Sequence, residues 1–272
     1  MEIFFKKWSI ESKYDYFDGI IKPILNISLN EYEELQLLIK EFNNSKTVFK
    51  DKFNKFVFSK DKLNFNASDL ELIGIDIPFW IKGDNPLGKR VIIVAQEPKR
   101  NNDSFVKFNS NKKEQLIIWT PFSYQEKNSD PERSEKIYWS TIDEIASKSS
   151  MVYITDINKI CYKKDSKISN EFDESLQEVF LSILLKEINT FVKPDIIIAF
   201  GKQALYGLCE LDIVIKPIYF PHPSSINTHK NKFFLRKLGN NDYEQIVKKN
   251  QKEDVLLAFY KKLIEKYLLT LK

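Results

Sequence analysis

The chain of 272 residues contains only two cysteines, Cys161 and Cys209, far apart and without C-x-x-C spacing. That scarcity excludes a disulfide framework and a four-cysteine metal site, and it points to a reducing compartment. Histidine is equally scarce, with His222 and His229 the only two. Long apolar runs are missing: the longest fall far short of the roughly 20 residues a membrane span needs. The first residues, M-E-I-F-F-K-K-W, lack the apolar stretch and small-residue cleavage site of a signal peptide. A cytoplasmic location is the expectation. Charge of one sign is lacking too. With 42 basic against 38 acidic residues the formal charge is +4, too balanced either to diagnose or to exclude nucleic-acid binding. What the chain has in quantity is apolar surface. Hydrophobic residues make up 43% and aromatics 14%, enough for a sizeable core in one large domain, or in a core with a smaller addition.

Along the chain, residues 1–75 read as a mainly helical extension, with helical spacing of apolar residues from Tyr32 to Ile39. A turn cluster, Gly83-Asp84-Asn85-Pro86-Leu87-Gly88, follows. The pattern then changes. Four short β-branched, apolar runs occur at 91–95, 151–155, 195–200 and 215–220, separated by helical patterns clearest over Glu174–Thr190 and Lys202–Leu208. Strands alternating with helices predict an α/β fold for residues 76–272: three layers, α/β/α, around a central four-stranded, mainly parallel sheet. The tail, about 243–271, reads as one amphipathic helix with Val255, Leu256, Phe259, Leu263 and Tyr267 on its apolar side.

In such a sheet, sites form beyond the carboxyl ends of the strands. Gln96-Glu97-Pro98-Lys99-Arg100 follows the first run and Asp156-Ile157-Asn158-Lys159 the second. After the third comes the glycine turn Gly201-Lys202-Gln203. After the fourth comes Pro221-His222-Pro223-Ser224-Ser225-Ile226-Asn227-Thr228-His229-Lys230. A lone loop histidine is usually a hydrogen-bonded structural residue. Beside Pro-Ser, and opposite a carboxylate on another strand end, a site role becomes the better reading.

These residues carry a resemblance. V-I-I-V-A-Q-E-P resembles the first motif of uracil-DNA glycosylases, a strand ending in G-Q-D-P-Y-H. V-Y-I-T-D-I resembles their second strand, which ends in the asparagine that reads uracil. K-P-D-I-I-I-A-F-G-K-Q-A-L is similar to the third strand and its glycine turn. H-P-S-S-I-N-T-H-K-N-K-F-F is similar to H-P-S-P-L-S-A-H-R-x-x-F-F and is the most specific of the four. All four occur in the family's order, over about 80–234.

The resemblance implies a DNA glycosylase that needs no cofactor or metal, only water and DNA. Glu97 stands in the place of the catalytic aspartate, under the sugar, where a carboxylate offsets oxocarbenium charge and orients water. His222 would donate to O2 of the departing base, with the backbone N–H of Gln96 as a second donor. Ser224 matches a phosphate-gripping serine, with Ser225 beside it; Ile226 matches the wedge leucine, and Lys230 an arginine near the DNA backbone. Phe122, in W-T-P-F-S-Y, is a candidate for stacking on the flipped base, with an ordinary core role equally open. For Glu97 the competing reading is a strand-end carboxylate in a surface ion pair. For 224–230 it is a plain serine-rich loop.

Two departures bear on the base. Asp156 replaces the uracil-reading asparagine, and an ionised carboxylate accepts only, so it favours the N4 amine of a cytosine. Lys99 replaces the tyrosine that walls off C5, so a substituent at C5 can enter. Together they point to a C5-modified cytosine, and the combination looks like the bacterial phage-defence glycosylases that remove glucosylated hydroxymethylcytosine. Two alternatives remain open: a uracil-DNA glycosylase of base-excision repair with a divergent pocket, and a non-catalytic DNA-binding module on the same fold.

Overall fold

The computed structural model describes residues 10–44, 56–65, 72–96, 115–122, 133–164, 167–169, 174–222, 233–234, 236–249 and 252–269. In chain order its helices are α1 (Ile10–Tyr16), α2 (Leu29–Asn44), α3 (Arg133–Lys148), α4 (Glu174–Lys186), α5 (Lys202–Cys209), α6 (Asn240–Lys249) and α7 (Lys252–Ile264). Wider π-helical turns extend α1 over Phe17–Ile21, α4 over Glu187–Val192 and α7 over Glu265–Leu269. The strands are β1 (Val57–Ser59), β2 (Leu72–Asp76), β3 (Phe79–Lys82), β4 (Lys89–Ala95), β5 (Gln115–Trp119), β6 (Ser149–Asp156), β7 (Ile160–Lys164), β8 (Lys167–Ser169), β9 (Ile196–Phe200) and β10 (Ile218–Phe220).

The four expected strands form the parallel heart of one sheet, ordered β10-β9-β4-β6. Val91, Ile92, Ile93 and Val94 of β4 are fully buried, as are Ile197, Ala199 and Phe200 of β9. Burial on both faces explains why these segments read as unbroken apolar runs rather than alternating ones. Right-handed crossovers then place α3 on one face and α4 with α5 on the other, giving the three layers. α7 joins the α3 face, where Tyr260 packs against Phe200 and Phe220.

The sheet has one strand more than the four expected. β3 pairs antiparallel with β6 at the edge, and only three residues, Phe79-Trp80-Ile81, are buried there. So short an apolar run carries no period that would announce a strand.

A second sheet, ordered β1-β5-β2-β7-β8, was not expected at all. The helical reading of residues 1–75 describes α1 and α2, but β1 and β2 pair with β5 and β7, distant in sequence. Such pairings are set by tertiary contacts, which local pattern does not encode. The tail expected as one helix comprises α6, α7 and the π turn, with residues 250–251 outside the description. Phe259, Tyr260, Leu263 and Ile264 form its buried side.

At the start of α2, Ser28-Leu29-Asn30-Glu31 makes a reciprocal cap. The Ser28 N–H donates to Glu31 Oε2 at 2.7 Å, and the Glu31 N–H donates to Ser28 Oγ at 3.2 Å. The backbone bond from Ser28, then Lys62, hold the Glu31 carboxyl down at about 2.

Candidate active site

Strand register brings the expected loops to one edge. Ala95 pairs with Asp156, Val94 with Ala199 and Phe200 with Phe220. Gln96, Asp156, Gly201 and Pro221-His222 therefore emerge together at the carboxyl ends of β4, β6, β9 and β10. Backbone bonds lock the ends to one another. Ile157 N–H donates to Ala95 O at 2.9 Å, Asn158 N–H to Gln96 O at 3.0 Å and Gly201 N–H to Phe220 O at 2.9 Å. Gly201 has φ +93°, the left-handed region that a side chain makes costly, so the turn into α5 calls for glycine.

Asp156 is 2% exposed. Alternation along β6 sets its direction: Tyr153 and Thr155 reach Glu187 on one face, so Ile154 and Asp156 point to the other, beneath α3. His222 stands on that same side. Its ring meets Tyr138 of α3 edge-on, with centroids 4.9 Å apart and planes at 83°. Three strand spacings, about 14 Å, separate the β6 and β10 ends.

Phe122 lies two residues beyond the small link that follows β5. It adopts φ +57°, a strained conformation for a bulky residue. Its ring packs on Tyr138 at 4.4 Å, on Phe200 at 5.9 Å and on Trp139 at 6.5 Å, and it is half-buried. The second sheet thus delivers Phe122 to the wall shared with His222. Glu97, Lys99, Ser224, Ser225, Ile226 and Lys230 lie outside the described residues.

Beneath the edge lies a charge network that sequence reading missed. Lys159 and Glu187 are both 0% exposed and 3.0 Å apart. Lys159 Nζ also donates to Thr155 Oγ1 at 2.6 Å and to the backbone oxygen of Asp156 at 3.1 Å. Tyr153 donates to Glu187 at 2.9 Å and shares its hydroxyl with Tyr16 of α1, also at 2.9 Å. Burial pushes the Glu187 carboxyl up, against the opposing pull of Lys159, Tyr153 and Thr155. The network ties α1 and the π turn after α4 to the end of β6, where Asp156 stands. On the other side of the edge, Tyr260 of α7 donates to the carbonyl of Pro221 and fixes the residue before His222. A lysine just after a strand end reads as solvated in any single sequence, so nothing in the pattern signals this burial.

The comparison with family models follows from the same segments. Residues 82–249 match the model described as the uracil DNA glycosylase superfamily. The chain belongs to that superfamily. The matched span takes in all four parallel strands and the described site residues Gln96, Phe122, Asp156 and His222, and it leaves out the helices before β1. A comparison with curated proteins gives no match. Members of the superfamily are typically DNA N-glycosylases, which supports DNA as the partner class. Among the described residues, no helix is long and apolar enough to cross a membrane.

Proposed function

We propose that the chain is a monofunctional DNA glycosylase that removes a flipped-out, C5-modified cytosine and leaves an abasic site, with glucosylated hydroxymethylcytosine in phage DNA as the substrate and anti-phage defence as the role. The observation that carries this reading is Asp156: a buried carboxylate at the end of β6, on the side of the sheet that holds Phe122 and His222. A buried acceptor there favours a base edge that presents an amine, and it repels the O4 of uracil. Cutting unmodified cytosine would damage the host genome, so selection for a modified one follows. Lys99, without an aromatic wall at that position, leaves C5 open.

In the reaction, the C1′–N1 bond breaks and its electron pair leaves with the base. His222, donating a hydrogen bond, stabilises the negative charge gathering on O2. Glu97 lies under the sugar, balances the oxocarbenium charge and takes the proton as water adds to C1′. Phe122 offers a face for stacking; Ser224, Ser225 and Lys230 hold phosphates and Ile226 fills the gap left by the flipped base. The cytoplasm is the compartment this role requires.

The test is a set of duplexes, identical except for one uracil, cytosine, hydroxymethylcytosine or glucosylated hydroxymethylcytosine, scored for abasic product. Product from the glucosylated duplex, and none from cytosine, is expected. Product from uracil alone would overturn the reading in favour of base-excision repair. Tight binding with no product from any duplex would leave a non-catalytic module.

A further inference from the structure

Tyr138 stands at this edge without a part in the chemistry above. It is 5% exposed, and its hydroxyl has no hydrogen-bond partner among the described residues. A buried phenol that donates to nothing is uncommon, because the desolvation cost goes uncompensated. Its surroundings explain neither the loss nor a need for oxygen. The ring packs on Phe122 at 4.4 Å, on Phe200 at 5.5 Å and on His222 at 4.9 Å, contacts that a phenylalanine would make equally well. The groups that act electrostatically on the hydroxyl are Tyr260 and Asp156. Tyr260 is already engaged with the carbonyl of Pro221.

The phenol ring therefore meets the ring of His222 edge-on, and its hydroxyl feels the charge of Asp156 on the same side of the sheet. In the proposed reading, Asp156 takes the N4 amine of a cytosine and His222 takes its O2. Between N4 and O2 on that edge stands N3, an acceptor in cytosine and a donor in uracil. We propose that Tyr138 is a specificity-determining residue whose hydroxyl donates a hydrogen bond to N3 of the bound cytosine-type base. The inference rests on the functional reading above for the identity of the base. Burial pushes the Tyr138 phenol well above its ordinary value, so the group keeps its proton and remains a donor at every working pH. A cytosine satisfies this donor, whereas uracil brings a second hydrogen to the same place. Pocket and base thus agree at three successive positions, acceptor, donor, donor, against the cytosine's donor, acceptor, acceptor.

The experiment uses the full chain and Tyr138→Phe, with duplexes carrying a single 2′-fluoroarabino hydroxymethylcytosine or 2′-fluoroarabino uracil, whose glycosidic bonds resist hydrolysis. Binding is read against the same duplex with no modified nucleotide, and melting is followed on both proteins. The expected result is a loss of about 10- to 100-fold in affinity for the hydroxymethylcytosine duplex, the size of one buried hydrogen bond, with a smaller loss for uracil. The melting temperature of Tyr138→Phe should equal or exceed that of the parent, because the hydroxyl gains nothing in the free protein. Unchanged affinity, an equal loss for both bases, or a markedly lower melting temperature would each overturn the assignment. A cleavable glucosylated duplex in parallel separates the two ideas. Product with hydroxyl-independent binding removes Tyr138 alone; hydroxyl-dependent binding without product removes the glycosylase reading alone.

Discussion

Replacing Lys159 by methionine keeps most of the aliphatic bulk but removes the cation that faces Glu187 in the buried network. Breaking a buried ion pair from one side typically costs about 3–5 kcal/mol, because the partner is left charged in a poor solvent. With an unfolding entropy of roughly 2.1 cal/mol/K per residue, 272 residues give about 0.6 kcal/mol/K. The melting temperature should then fall by roughly 5–9 °C. Lys159→Met/Glu187→Gln is the informative companion: it removes both charges yet leaves an amide to meet Tyr153 and Thr155. That variant should recover at least half of the loss, since the penalty of the single substitution is an orphaned carboxylate. Urea and thermal denaturation on the single and double variants decide it. A single-variant cost under about 1 kcal/mol, or a double variant as unstable as the sum of its parts, would refute the reasoning.

The site yields further expectations. Glu97→Ala should lower single-turnover excision by about 10²–10⁴-fold, the usual range for a lost acid–base group, with duplex binding nearly unchanged. An unchanged rate would remove Glu97 from the mechanism. His222→Ala should cost about 10²–10³-fold, as for one donor to a developing oxyanion, and a fluorinated base that leaves more readily should suffer less. Phe122→Leu keeps the packing on Tyr138 and Phe200 but loses the flat face; affinity for a flipped base should fall by about 1–3 kcal/mol. If Phe122 serves the core alone, stability will change and binding will not.

Much of the architecture was legible because the parallel strands are buried on both faces and so read as continuous apolar runs. The site edge was legible for a topological reason: every strand end of a parallel sheet delivers its loop to the same side. Gln96, Asp156 and His222 are there. The second sheet was not legible, since β1 and β2 take partners at 115–119 and 160–164 and neither run is long enough to declare itself. Phe122 could be named but not placed; its position depends on β5 joining that sheet. Tyr138 could not be named. It lies on α3 at helical spacing from Ile142 and Ile145, both fully buried, and pattern alone gives an aromatic in that row a core role. Lys159 failed for the opposite reason, since burial of a lysine is decided by a glutamate 28 residues later.

The central claim is that a carboxylate at the end of β6 reads an exocyclic amine, and Asp156→Asn tests it most directly. The substitution is isosteric and gives the pocket an amide that can donate to O4 and accept from N3–H. The measurement is the ratio of kcat/KM for the glucosylated hydroxymethylcytosine duplex to that for the uracil duplex, in the parent and in Asp156→Asn. This ratio should fall by at least about 10²-fold, with uracil excision gained, as expected when one buried polar contact changes sign. An unchanged ratio, or equal loss of both activities, would contradict it.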